Sequence, residues 1–293
     1  MRHDRWTGYL LIAPAFLALF GVIGYPLIRA FLMSLHEIIL TDPSLGQPYV
    51  GLANYAASIT NPLFAGALWR SAVWTGVNLV IQMVLGLAIA LVLNEPFPWR
   101  GLARGITLIP WVTPSVVSVL TWRWMYDAQF GVINAALVGL GIVSQPVVWL
   151  GNTQTALWAV IGESIWKGTP FVAIMLLAAL QAVPNELYDV AKVDGANAWK
   201  RLTHITLPLI LPTLIIAATL TTIFTFNNFN AIWLMTQGGP LHATETLTIL
   251  VYNQAFVAFD MGQATAIGMI TFFILLVFVA IFGRYYIKSE LNL

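Results

Sequence analysis

Two charges of opposite sign, Glu163 and Lys167, stand four residues apart inside an otherwise uncharged apolar run, from about 155 to 182. On a helix that spacing puts both on one side, so that pairing offsets the cost of ions in hydrocarbon. Such a pair serves either as a brace between helices or as the lining of a polar pathway. Directly after it, Gly168-Thr169-Pro170-Phe171 predicts an interruption of the same helix, because proline removes a backbone donor and glycine removes bulk. Pro110 and Pro114, around Trp111 and Ser115, predict the same in an earlier run. A kink that only aids packing is the commoner meaning of a membrane proline, but two near mid-span favour a pathway. Further on, Phe224-Thr225-Phe226-Asn227-Asn228-Phe229-Asn230 alternates amides with rings. Amides and hydroxyls pair with the hydroxyls of a polyhydroxylated ligand while rings stack on its C–H faces. The alternative is interhelical bonding by Asn.

Other chemistries lack their residues. The histidines, His3, His36, His204 and His242, fall near or beyond the ends of the apolar runs, and Glu163 is the one mid-span acid with a clear partner, which argues against an intramembrane hydrolase. With no cysteine there is no disulfide and no thiolate metal site, no other metal site is expected, and a net charge of +1 offers nothing to nucleic acid. No Gly-x-x-x-x-Gly-Lys-Ser/Thr phosphate loop occurs, so the chain has no site of its own for ATP.

The elements that must hold these residues are membrane helices. With 59% hydrophobic residues, 9% charged and a mean hydropathy of +0.82, the chain is too apolar for a soluble domain. Crossing about 30 Å of hydrocarbon takes roughly 20 apolar residues. Such runs fall near 8–35, 70–94, 104–126, 155–182, 207–235 and 262–286, which predicts an all-α integral membrane protein of six spans. The first run is too long for a signal peptide and no small-residue cleavage site follows it, so it is expected to be retained. Arg2, Arg5, Arg100, Arg104, Lys192, Lys200, Arg201, Arg284 and Lys288 share one side, whereas the connections at 36–69, 127–154 and 236–261 hold no Lys or Arg. The basic side is cytoplasmic, with both termini.

The segment 184–206 lies on that side. Glu186 to Asp194 predicts a short amphipathic helix with Leu187, Val190, Ala191 and Val193 as its apolar stripe, stopped by Gly195 before a second helix through Trp199, Lys200, Arg201 and His204. On periodicity alone it is either a solvated hairpin or a docking knob.

From Asp189 the order is acid-Val-Ala, three residues, Gly195, nine residues, Ile205, one residue, Leu207-Pro208, which resembles the "EAA" loop of bacterial ABC importer membrane subunits. Glu186-Leu187-Tyr188, Val193-Asp194-Gly195-Ala196 and Ile205-Thr206-Leu207-Pro208-Leu209 narrow the likeness to the carbohydrate-uptake permeases, the group that includes the maltose and glycerol-phosphate importers. Asp189 stands where Glu is usual and keeps the charge. Phe226-Asn227-Asn228-Phe229 through Leu234, Thr236 and Gly238-Gly239-Pro240 extends the likeness to the larger maltose-transporter membrane subunit, and the resemblance covers about 70–290. No counterpart of that subunit's large external domain and additional leading helices is expected here.

The resemblance implies a type I ABC importer permease: an N-terminal membrane helix and external loop at 1–69, then a five-helix core at 70–293 carrying a coupling loop at 184–206. Its partners would be a second permease, a dimer of ATPase subunits that hold ATP and magnesium, and an extracytoplasmic solute-binding protein, all at a bacterial inner membrane. This chain itself would hold no cofactor and would not be an enzyme. Glu186, Asp189, Ala191, Asp194 and Gly195 would couple to the ATPase. Trp111, Ser115, Ser164, Lys167, Gly168, Phe171, Phe224, Thr225 and Asn228 match sugar-contacting positions. A secondary transporter driven by an ion gradient is the alternative, since a buried Glu could carry a proton.

Overall fold

In a lipid-embedded helix the polar stripe faces other helices and the apolar surface faces out, the reverse of a soluble helix. The second span shows this arrangement. Ser71, Trp74, Thr75, Asn78 and Gln82, spaced three and four apart, are all buried, while Val80, Val84 and Val92 are exposed. The computed structural model describes residues 3–42, 44 and 46–291; Arg2 lies outside them, and of Arg5 only the helical backbone is described.

The helices, in chain order, are α1 (His3–Leu19), α2 (Tyr25–Ser34), α3 (Ala53–Thr60), α4 (Pro62–Asn94), α5 (Arg100–Val112), α6 (Ser115–Met125), α7 (Val132–Gly139) and α8 (Ala156–Gln181). They continue as α9 (Asn185–Val193), α10 (Ala198–Arg201), α11 (Leu207–Phe226), α12 (Phe229–Thr236), α13 (Leu247–Phe256) and α14 (Met261–Leu291). Among the described residues, five runs are long and apolar enough to cross a membrane: Tyr9–Ser34, Pro62–Asn94, Ala156–Gln181, Ala198–Thr236 and Met261–Ser289. A sixth is the pair α5 and α6, bent by 91°.

That bend sits where proline dictates it. The residue before a proline is pushed out of the helical region, and Thr113 is extended with ψ 128° before Pro114 caps α6. Pro170 does the opposite of what its sequence suggests, since α8 runs through it without interruption. The fifth span differs from expectation at both ends. It begins early, because α10 continues through a π turn at Leu202–Thr206 into α11, and it breaks at Asn227-Asn228, where Asn228 leaves the helical region and starts α12.

The chain divides into two compact units. The first comprises residues 1–65 and 250–273. Within it Asn54 Nδ2 donates to the carbonyls of Ser34 and His36, both at 2.9 Å, and Met261 N donates to Ile38 O at 2.9 Å. The second comprises residues 66–249 and 274–293 and holds two apolar clusters. Trp74, Val160, Ile161, Ile232 and Ile249 centre one; Ala90, Val172, Leu176, Leu180 and Ile210 centre the other. Along α8 and the fifth span, the residues between the clusters include the ones singled out above for their chemistry, and along α4 they include Asn78 and Gln82.

Candidate functional site

Between the two clusters of the second unit lies a cleft of about 210 Å³ lined by Gln82, Trp111, Ser164, Lys167, Gly168, Phe171, Thr221, Phe224, Thr225 and Asn228. Eight of the nine ligand positions expected from the sequence converge there. Ser115, on the first turn of α6 beyond the bend, does not line it. Gln82 and Thr221 were missed. A signal for Gln82 existed, since Trp74, Asn78 and Gln82 recur every fourth residue in an otherwise apolar span and mark an inward stripe.

Three rings from three helices form one wall. Trp111 stacks on Phe171 with centroids 6.0 Å apart and planes at 27°, and Phe224 meets Phe171 edge-on at 5.8 Å. Trp111 and Phe224 stay exposed, so their faces are available to a ligand.

The polar wall is held by buried amides. Asn78 Nδ2 donates to Trp74 O at 2.8 Å, and Gln82 Nε2 donates to Asn78 Oδ1 at 3.0 Å and to Ser164 O at 3.2 Å. Trp74 Nε1 in turn donates to Thr225 O at 2.8 Å. This ladder fixes α4 against the fourth and fifth spans at cleft depth. Both Gln82 donors are thereby used, and its Oε1 faces Gly168, where an added Cβ would stand only 2.4 Å away. Gly168 is therefore a site of close approach between α4 and α8, in a helix that does not break. Asn228 caps α12 by accepting Ala231 N at 3.2 Å, which leaves its amide nitrogen as the group free to donate. Thr221 Oγ1, buried in the cleft wall, has no partner among the described residues.

Glu163 and Lys167 bond to other groups rather than to each other. Lys167 Nζ donates to Thr113 O, a carbonyl freed by the bend before Pro114, and Ser118 Oγ donates to Glu163 Oε1 at 2.5 Å. The bend makes this possible: it offers the lysine a bare carbonyl, and a serine of α6 reaches the acid. Glu163 is fully buried, and its Oε2 has no partner among the described residues.

At the far end of α8 the 184–206 segment forms a two-helix knob. Gly195 takes φ +75° and closes α9 with Ala196 N donating to Ala191 O at 2.8 Å and Gly195 N to Lys192 O at 3.0 Å. Asn197 Oδ1 accepts Lys200 N at 2.8 Å to start α10, and Tyr188 and Thr206 hydroxyls meet at 3.0 Å across the two helices. Ala191 is buried, whereas Glu186, Asp189 and Asp194 are exposed. Lys192 Nζ lies 2.9 Å from Asp189, an exposed pair of little energetic weight. Leu187, Val190 and Val193 are bare.

The family described as binding-protein-dependent transport system inner membrane component matches residues 82–291, from Gln82 in the cleft through the knob to the last helix. The chain belongs to that family. This permease is 38% identical over 286 residues to the trehalose/maltose transport system permease protein MalF of Thermococcus litoralis, covering 97% of this chain and 95% of the relative. To the sulfoquinovosyl glycerol transport system permease protein SmoG of Agrobacterium fabrum it is 32% identical over 281 residues, covering 96% and 90%. Its fold matches a solved membrane chain of a bacterial ABC transporter involved in the import of the acidic polysaccharide alginate, with a TM-score of 0.82 over 98% of this chain and 96% of that one, at 22% identity. The architecture is that of a type I ABC importer permease.

Proposed function

We propose that this permease carries a sugar or sugar-like solute inward, receiving it from an extracytoplasmic binding protein. The carrying observation is the mid-span cleft, where the rings of Trp111, Phe171 and Phe224 face the amides of Gln82 and Asn228 and the hydroxyls of Thr221 and Ser164. Stacking surfaces beside hydrogen-bonding groups suit a molecule with C–H faces and a hydroxyl rim. Transport of trehalose, maltose and a sulfoquinovosyl glycerol by the named relatives supports this substrate class. Lys167 gives one of its three donors to Thr113 O and brings a positive charge to the cleft wall.

The energy source lies on other chains. The knob, with Leu187, Val190 and Val193 exposed around an acidic rim, offers an apolar face to an ATPase subunit that holds ATP and magnesium, and a second permease completes the pathway. Glu186, Asp189 and Asp194 form the rim of that contact, and Ala191 and Gly195 set its backbone. The basic residues of the knob and of the tail put both termini and the knob in the cytoplasm.

The test is uptake by proteoliposomes holding the assembled complex, with labelled trehalose and maltose, the binding protein outside and ATP inside. Vanadate-sensitive uptake that survives collapse of ion gradients is expected. Uptake abolished by uncouplers and indifferent to vanadate would overturn the reading.

A further inference from the structure

From Ala128 to Gly162 the chain contains no Asp, Glu, Lys or Arg, yet most of this stretch connects two spans and exposes large apolar side chains. Phe130 is 84% exposed, Leu140 74% and Ile142 64%, and Trp124, just before the connection, is 84% exposed. The short helix α7 within it is turned inside out. Its one polar side chain, Asn134, is 3% exposed. Asn134 Nδ2 donates to Asp127 O at 3.2 Å and Val147 O at 3.0 Å, and its Oδ1 accepts Val147 N at 3.0 Å and Trp149 Nε1 at 3.1 Å. Both donors and both lone pairs are used. The opposite face presents Val132, Ala135, Ala136 and Gly139, and Val138, one turn after Asn134, is exposed as well, with nothing among them that can form a side-chain hydrogen bond. The end of α7 is sealed as well: Gly141, at φ +69°, lets Ile142 N donate to Leu137 O at 2.9 Å and Gly141 N donate to Val138 O at 3.0 Å.

We propose that α7 and the apolar residues just after it lie in the lipid leaflet at the end of the bundle opposite the α9–α10 knob, as an interfacial helix rather than a water-exposed loop. Three observations select lipid over a protein. A surface that must recognise a soluble partner and release it needs polar or charged groups to fix register, and the exposed face of α7 has none, the nearest exposed polar side chains being Gln129 before it and Ser144 and Gln145 after it. Leu120 and Trp124 of α6, the helix that leads into this connection, are exposed as well, on a membrane span. The Asn134 side chain and the C-terminal turn of α7 close their polar groups inward, as hydrocarbon requires and water does not. Trp124 at the junction fits the aromatic belt of a bilayer interface.

Because the chain has no cysteine, single ones can be placed at Val132, Ala135, Val138 and Leu140 and spin-labelled in the whole complex, with cysteines of the other subunits removed. Collision rates with oxygen, which concentrates in hydrocarbon, and with a water-soluble nickel chelate are then measured in lipid vesicles, with and without the binding protein. The expected result is high oxygen and low chelate access at all four sites, unchanged by the binding protein. High chelate access would overturn the proposal by putting the face in water. Low access to both reagents would overturn it by putting a protein there, which is the binding protein if its removal restores access and another subunit if not. All four positions are exposed or of small volume, so the substitutions leave the fold intact.

Discussion

A carboxyl oxygen buried without a partner is expensive, which makes the Ser118–Glu163 contact more consequential than its single hydrogen bond suggests. Removing the serine leaves the whole group unanswered. Ser118→Ala is expected to destabilise the protein by about 1–3 kcal/mol, while Glu163→Gln keeps an acceptor for the serine and is expected to be neutral or better. Thermal unfolding of the detergent-solubilised complex checks both. Gly168 gives a second case. Gly168→Ala would press a methyl against the Gln82 amide, which Asn78 and Ser164 hold in place, at a cost of about 1–3 kcal/mol. Truncating the clashing partner relieves this, so Gly168→Ala with Gln82→Ala is expected to be less damaging than the sum of the two singles, a coupling that a double-mutant cycle in melting temperature reads directly. For the ring wall, Phe224→Ala forfeits roughly 0.5–1.5 kcal/mol of stacking. Since Phe224 touches Phe171 and is also exposed to the cleft, the expected outcome is a slightly lowered melting temperature together with a weaker apparent affinity for solute, up to about tenfold.

At the scale of the element, the knob turns on one backbone conformation. Nothing lies within 4 Å of a Cβ built on Gly195, so Gly195→Ala meets only the cost of the left-handed region, about 1–2 kcal/mol. Gly195→Pro cannot adopt φ +75° and also loses the bond to Lys192 O. Co-purification of an ATPase subunit is expected to survive the alanine and fail with the proline; equal recovery in both would separate the knob from ATPase docking. The prolines show why sequence alone misplaces breaks. Pro110 and Pro170 lie inside continuous helices, and only Pro114 divides its span. The local chemistry is the same at each. The difference lies in what receives the freed carbonyls, and the lysine that answers Thr113 comes from a different helix. Asn227-Asn228 shows the converse. Two amides inside an apolar span read as ligand groups, yet Asn227 Nδ2 bonds back to Ile223 O and Asn228 Oδ1 caps the next helix, so part of their capacity serves the backbone.

For the whole molecule, the spans and the knob were legible because hydropathy and turn chemistry are local signals, whereas the set of positions that meet in the cleft was implied by the family resemblance. Gln82 and Thr221 were not singled out because they lie in stretches of α4 and α11 that carry no ring-and-amide pattern, and the parting of Glu163 from Lys167 depends on the bend between α5 and α6. Orientation is open to direct measurement. Lys200→Cys is expected to react with an impermeant maleimide from the cytoplasmic side, and Gln154→Cys, at the other end of α8, from the outside. Reaction from the reverse sides would invert the topology. One feature of the fifth span bears on the stroke itself. From Ala198 through the π turn to Phe224 the chain is one unbroken rod, about 40 Å long at 1.5 Å per residue. A rod can tilt or rotate but cannot stretch. The knob and the Phe224 ring are therefore the two ends of one continuous helix, whereas Trp111 stands on a separate piece of helix, so a tilt of the first would change the spacing of the two rings.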